Sequence, residues 1–187
     1  MCGRFTLHNS NKVIDKIGFD IAPNYNIVPS NLILILIPEP VLLYWGLTPE
    51  WATKPMNLIN ARIETLKEKP AFKNSKPCII VSDGWFEWKK SNTVEKIPYY
   101  IHNNNKLIYF AGIYNDKGCS IVTKEANQEL CNIHHRQPLI LGKKARRSWI
   151  NEFEIKILNG SEEFHCQRVG NHVNSPRNNS TQCIEAI

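Results

Sequence analysis

Short runs of apolar, β-branched or aromatic residues, each stopped by Gly, Asn, Asp or Pro, recur through the middle of this chain and constrain its fold more than any other feature. Leu32 to Ile37 and Val41 to Trp45 are two such runs, separated by Pro38-Glu39-Pro40, where neither ladder can continue, and this suits a hairpin. Cys78 to Val81, Pro98 to Ile101, Leu107 to Ile113 and Cys119 to Thr123 repeat the pattern, with Asn103-Asn104-Asn105 supplying a tight turn. Helical spacing is confined to shorter pieces: Lys12 to Ile17 behind a Ser10 cap, Ala61 to Lys69, Glu125 to Ile133 and Lys143 to Ile150. Strands do not alternate regularly with helices, so the expected class is α+β, a single β-rich domain over residues 1–187. The polar stretch Asn174 to Gln182 reads as an exposed loop.

Composition excludes several classes. With 42% hydrophobic and 21% charged residues the chain is neither disordered nor fibrous. Its start, MCGRFTLHNS, has no apolar core of signal-peptide length, and Leu32 to Ile37 is far too short to span a bilayer, so a soluble, cytoplasmic protein is expected. Cysteines at 2, 78, 119, 131, 166 and 183 follow no framework spacing and are expected as free thiols. A net charge of +6 is compatible with a polyanionic partner, because clustered Lys and Arg gain affinity by releasing phosphate counterions.

Four stretches carry residues suited to chemistry. Removal of Met1 would leave Cys2 with a thiol and a free α-amine on one residue, a pair that titrates near pH 8 to 8.5 in reference peptides. An aldehyde is its natural target: the amine condenses to a Schiff base and the thiol closes on the imine carbon. The alternative is that Cys2 is an ordinary second residue. Asn60, Arg62 and Glu64 alternate, sharing a face if the backbone is extended; Asn60 would orient a nucleophile, Arg62 would grip phosphate and Glu64 would fix Arg62 from behind. An ordinary helix start with solvated charges is the competing reading.

In Asp83-Gly84-Trp85-Phe86-Glu87-Trp88 a carboxylate lies among aromatic rings, where lost hydration raises its pKa towards acid/base values, and the tryptophans suit stacking on unpaired bases. A core aromatic cluster with Glu87 turned to water would look the same. His134-His135-Arg136 offers a proton carrier beside a phosphate ligand; on a strand, only one of the two histidines would face a given site. Cys131, His134 and His135 lack the paired halves that structural zinc needs, so neither a metal nor any other cofactor is expected.

Together these pieces resemble the SOS response-associated peptidase family along nearly the whole chain. The matching stretches are Cys2-Gly3-Arg4-Phe5, Tyr25-Asn26-Ile27-Val28-Pro29, Trp45-Gly46-Leu47-Thr48-Pro49 with Trp51, Asn60 to Thr65, Asp83 to Trp88 and Ile133 to Pro138, in the family's order. Gln137 stands where methionine is usual, and Val81-Ser82 replaces Pro-Ala. The resemblance implies a mostly antiparallel, barrel-like sheet with short peripheral helices. It also implies a nucleoid-associated monomer that binds abasic sites in single-stranded DNA and forms a covalent crosslink, with lyase or self-processing peptidase activity as accompaniments. It assigns Cys2 as nucleophile, Glu87 and His134 to acid/base positions, and Asn60 to orienting the cysteine. Arg4, Arg62 and Arg136 would hold phosphates, Trp45 and Trp88 would form apolar walls, and Thr123 would line the groove. A peptidase proper, or a non-catalytic single-strand binding module, are the rival functions.

Overall fold

A computed structural model describes residues 2–91, 95–153 and 163–187. Its strands are β1 (Phe5–Leu7), β2 (Asn24–Ile27), β3 (Leu32–Leu36), β4 (Pro40–Tyr44), β5 (Asn60–Arg62), β6 (Lys76–Ser82), β7 (Gly84–Lys89), β8 (Ile97–His102), β9 (Ile108–Asn115), β10 (Gly118–Glu125), β11 (Arg136–Pro138) and β12 (His165–Arg168). The helices are α1 (Ser10–Ile17) and α2 (Lys143–Glu152). The class is α+β, mostly antiparallel. β12-β8-β7-β1-β2 form one sheet and β11-β10-β9-β6-β3-β4 a second, to which β5 adds by pairing parallel with β10. These two sheets are not closed into the barrel-like single sheet expected. The left-handed Asn104 and Asn105 turn the chain sharply after β8, but β8 pairs with β7 and β12 while β9 pairs with β6 and β10, so this turn changes sheets.

The patterning explains the packing. β6 reads as a continuous apolar run because both its faces are covered. Ile80 and Cys78 join Phe5, Trp85 and Ile101 of the other sheet in the core between sheets, whereas Ile79 turns to the opposite face against Trp149 of α2. There the Trp149 indole N–H donates to the Cys78 and Gly112 carbonyls at 2.9 and 3.1 Å, so the helix is fixed by a polar contact inside an apolar layer. β7 splits in the same way, with Trp85 inward and Phe86 outward on Tyr100, Val173 and Cys183.

Helix ends correct the reading of α1. Asn9, not Ser10, caps it, accepting from the Lys12 amide at 3.3 Å, and Gly18 ends it in the left-handed conformation. Ser10 instead donates to the Ile21 carbonyl at 2.6 Å. The expected helix over 61–69 gives way to β5 and a 3-10 turn, Ile63–Thr65, because Asn60, Ala61 and Arg62 find backbone partners on β10. The helix expected over 125–133 is absent: Glu125 ends β10 and the chain beyond it forms turns, in which the Cys131 amide reaches Asn127 and the His134 amide reaches Leu130 without a continuous ladder. The 174–182 stretch is largely exposed as expected, although its backbone is tied to β2.

Asp83 fastens β1 and the start of α1 to β7. Its buried carboxylate accepts from the Thr6 hydroxyl at 2.5 Å and the His8 and Asn9 amides at 2.7 and 2.9 Å, with the His8 ring 3.0 Å away. Burial acts to raise its pKa, but His8, Thr6 and Asn9 outweigh it and hold the carboxyl below its usual value. Asp83→Ala, which strands these donors, is expected to lower stability by about 3 kcal/mol at pH 7 in urea unfolding. A group with a depressed folded pKa stabilises above its unfolded value and loses that contribution as pH falls. The gap between the two proteins should therefore narrow below pH ~4.

Candidate active site

The β1 segment delivers Cys2 to the centre of the molecule. Phe5 pairs with Ile27 on one side and Trp85 on the other, and the Phe86 amide donates to the Arg4 carbonyl at 2.9 Å. Cys2 is fully buried, and its carbonyl accepts from the Asn60 side-chain amide at 2.8 Å. That bond brings Asn60 and Cys2, expected to act together, into direct contact. Burial, reinforced by the negative charge of Glu87, pushes the Cys2 thiol well above its ordinary pKa, against the N-terminal positive charge. Met1, whose removal the sequence suggests, lies outside the described residues.

Glu87 points inward on β7 and is 4% exposed. Burial pushes its carboxyl up to about 7, against the N-terminal positive charge. His134 Nδ1 lies 3.9 Å from Glu87 Oε2, and 3.0 and 3.2 Å from the Arg136 amide nitrogen and carbonyl oxygen, so the Arg136 backbone holds the ring by its Nδ1 side. Burial lowers the His134 pKa, with N-terminal charge acting in the same sense, so the neutral ring is favoured near pH 7. His134 and His135 precede β11 instead of lying on a strand, and their rings stack at 4.4 Å, so alternation does not separate them.

Arg4, Glu87, Trp88, Lys96, His134 and Asn174 line a cleft of about 390 Å³. Arg4 Nη1 donates to Asn26 Oδ1 at 2.8 Å and to the Val173 carbonyl at 2.7 Å, and its guanidinium lies 5.8 Å from the Trp88 ring centre. Burial lowers the Arg4 pKa from a very high starting value, leaving a cation at the cleft wall. A larger hollow of about 600 Å³, bordered by Tyr44, Thr48, Lys54 and Lys117, has no carboxylate, thiol or histidine in its lining. Chemistry therefore favours the smaller cleft.

Other expected contacts lie elsewhere. Trp45 is no exposed wall: it is fully buried, edge-on to Phe5 at 5.1 Å, and spends its indole N–H on the Ile59 carbonyl at 2.9 Å. Thr123 is fully buried under Arg136 and not at a groove surface. Arg136 is only 7% exposed, and its fork grips Glu64 at 2.7 and 2.9 Å and the Thr123 carbonyl at 2.8 Å. Glu64 thus fixes Arg136, not Arg62, because the 3-10 turn after Arg62 breaks the alternation. Its pKa falls chiefly through the Arg136 hydrogen bond. Arg62 is exposed.

Lys96 and Asn174 were missed by sequence reasoning, for neither belongs to a motif with its own chemistry. Among the described residues no group of three His, Cys, Asp or Glu side chains is arranged to hold a metal, no helix is long and apolar enough to cross a membrane, and the cysteines are free.

The chain is 34% identical over its full length to abasic site processing protein YoaM of Bacillus subtilis, covering 98% of that protein. It is 31% identical to abasic site processing protein YedK of Escherichia coli, covering all of both chains. A solved structure of a Bacteroides thetaiotaomicron protein superposes over the whole of both chains with a TM-score of 0.82 at 24% identity, sharing the fold. Residues 1–176 match the family described as SOS response associated peptidase (SRAP), and the chain belongs to that family.

Proposed function

We propose that this protein is a sensor of abasic sites in single-stranded DNA that joins itself covalently to the lesion through Cys2. The observation that carries the reading is that Glu87 and His134 line one cleft with Arg4 and Lys96, while Cys2 is buried near enough to Glu87 for that charge to act on its thiol and is held through its carbonyl by Asn60. Relatives named abasic site processing proteins support the same substrate.

Once Met1 has been removed, the Cys2 amine attacks C1′ of the ring-opened sugar, and His134 assists the opening. The carbinolamine loses water to a Schiff base, with Glu87 supplying the proton to the departing hydroxyl. The thiol sulfur then adds to the imine carbon, and its proton passes through Glu87 to the nitrogen, closing a thiazolidine. The sum is protein plus DNA minus one water. A Schiff base also permits β-elimination, so slow strand cleavage accompanies the reaction whenever ring closure is delayed.

Asn60 holds the Cys2 carbonyl and so aims the residue. Arg4, Arg62 and Lys96 attract phosphates, and Trp88 offers a ring to an unpaired base. Buried Trp45, Thr123 and Arg136 act from beneath. For Arg136 this means carrying the His134 ring on its backbone amide. Peptide cleavage fits less well, because it needs a ready thiolate and both burial and Glu87 keep this thiol protonated.

The expected result with an oligonucleotide bearing one abasic site is a new intact mass equal to the sum of the partners less one water, absent with undamaged DNA. An unchanged mass in protein whose Cys2 amine is shown free by N-terminal sequencing would overturn the proposal.

A further inference from the structure

One part of the cleft lining, Asn174, belongs to a segment with no chemistry of its own. Asn174 Oδ1 accepts the Trp88 indole N–H at 2.8 Å, and Asn174 lines the cleft beside Trp88. One residue earlier, the Val173 carbonyl accepts from Arg4 at 2.7 Å. The segment is itself held. Asn26 is buried, and its amide donates to the Ser175 and Asn178 carbonyls at 3.0 and 2.7 Å, while its oxygen accepts from Arg4 at 2.8 Å. Asn179 receives the Tyr25 amide at 2.7 Å, and Asn178 donates to the His172 carbonyl at 2.7 Å.

An indole on a strand can turn about two side-chain bonds, and its N–H is a donor only. A bond at the ring edge removes that freedom without covering a face. We propose that Asn174 is a positioning residue of the DNA cleft: through the Trp88 indole it sets the plane on which an unpaired base beside the lesion stacks. The inference rests on the DNA reading above and adds to it the element that orients the stacking ring.

Binding without chemistry tests it. The probe is a labelled single strand carrying tetrahydrofuran, an abasic analogue without an aldehyde, titrated by fluorescence anisotropy with wild type, Asn174→Ala, Trp88→Phe and the double variant. Loss of one hydrogen bond that orders a stacking ring is expected to raise Kd about fivefold for Asn174→Ala. Trp88→Phe, which keeps a ring but loses the N–H, should weaken binding by at least as much. The double variant should bind no worse than Trp88→Phe alone, because both changes remove the same contact. A merely structural role for Asn174 would instead multiply with Trp88→Phe, and that result overturns the inference, as does an unchanged Kd for Asn174→Ala. If wild type binds the probe and Asn174→Ala binds equally, only the inference falls. If wild type does not bind single strands, the DNA reading falls and takes the inference with it.

Discussion

Cys2→Ala should leave no stable adduct on abasic DNA under conditions where the wild type is converted completely. After methionine removal the alanine variant still presents an α-amine, so a Schiff base can form, but no sulfur is available to close on the imine. Cys2→Ser goes further as a test, since a hydroxyl is a far poorer nucleophile than a thiol near neutral pH. For both variants the covalent species should be seen only after reduction of the imine, and strand cleavage by β-elimination should increase. The check is denaturing electrophoresis and intact mass with and without a hydride reductant. A Cys2→Ser adduct that survives heat without reduction would rule out the thiazolidine.

For Glu87 the expected loss is kinetic. General acid/base groups contribute on the order of a hundredfold or more, so Glu87→Gln should slow single-turnover crosslinking by about 100-fold at pH 7. The pH profile makes the assignment specific. With a carboxyl near 7 and an α-amine near ~8, the wild-type rate should follow a bell between these values. The glutamine variant should keep only the amine's limb, rising to a plateau. The sign of the stability effect is opposite. A buried carboxyl whose folded pKa is raised favours folding when protonated and loses that preference as pH rises through about 7. Glu87→Gln is therefore expected to melt at a higher temperature than wild type at pH 8. A variant that is both slower and more stable would mark Glu87 as a group kept for chemistry at the expense of the core.

The hairpin around Pro38-Glu39-Pro40 was legible because proline sterics act locally, and β3 and β4 pair across it. The candidate residues stood out because their types are unusual in combination: Cys2 at the second position, and Glu87 among aromatic rings. Segments 61–69 and 125–133 misled for a physical reason. Their apolar spacing fits a helix, but β10 offers the first a ladder of backbone partners, and the second is consumed by turns that bury Leu130. The division into two sheets was hidden as well, because an Asn turn looks the same whether it closes a hairpin or crosses between layers. Trp45 shows the limit of motif reading: a tryptophan beside chemistry can be structural, and only its neighbours Phe5 and Ile59 decide. Asn174 lies at the other extreme. Its surroundings in sequence are those of a polar loop, and its contact with Trp88 joins residues 86 positions apart.

The bond between Arg4 and the Val173 carbonyl spans 169 positions. On a ribosome the first residues emerge early, and the amino-terminal methionine is accessible to processing long before the rest of the chain exists. The cleft, by contrast, gains its Asn174 wall and the second anchor of Arg4 only when 171–179 have left the exit tunnel. On the proposed function, synthesis order would separate unmasking of the Cys2 amine from assembly of the cleft that holds DNA against it.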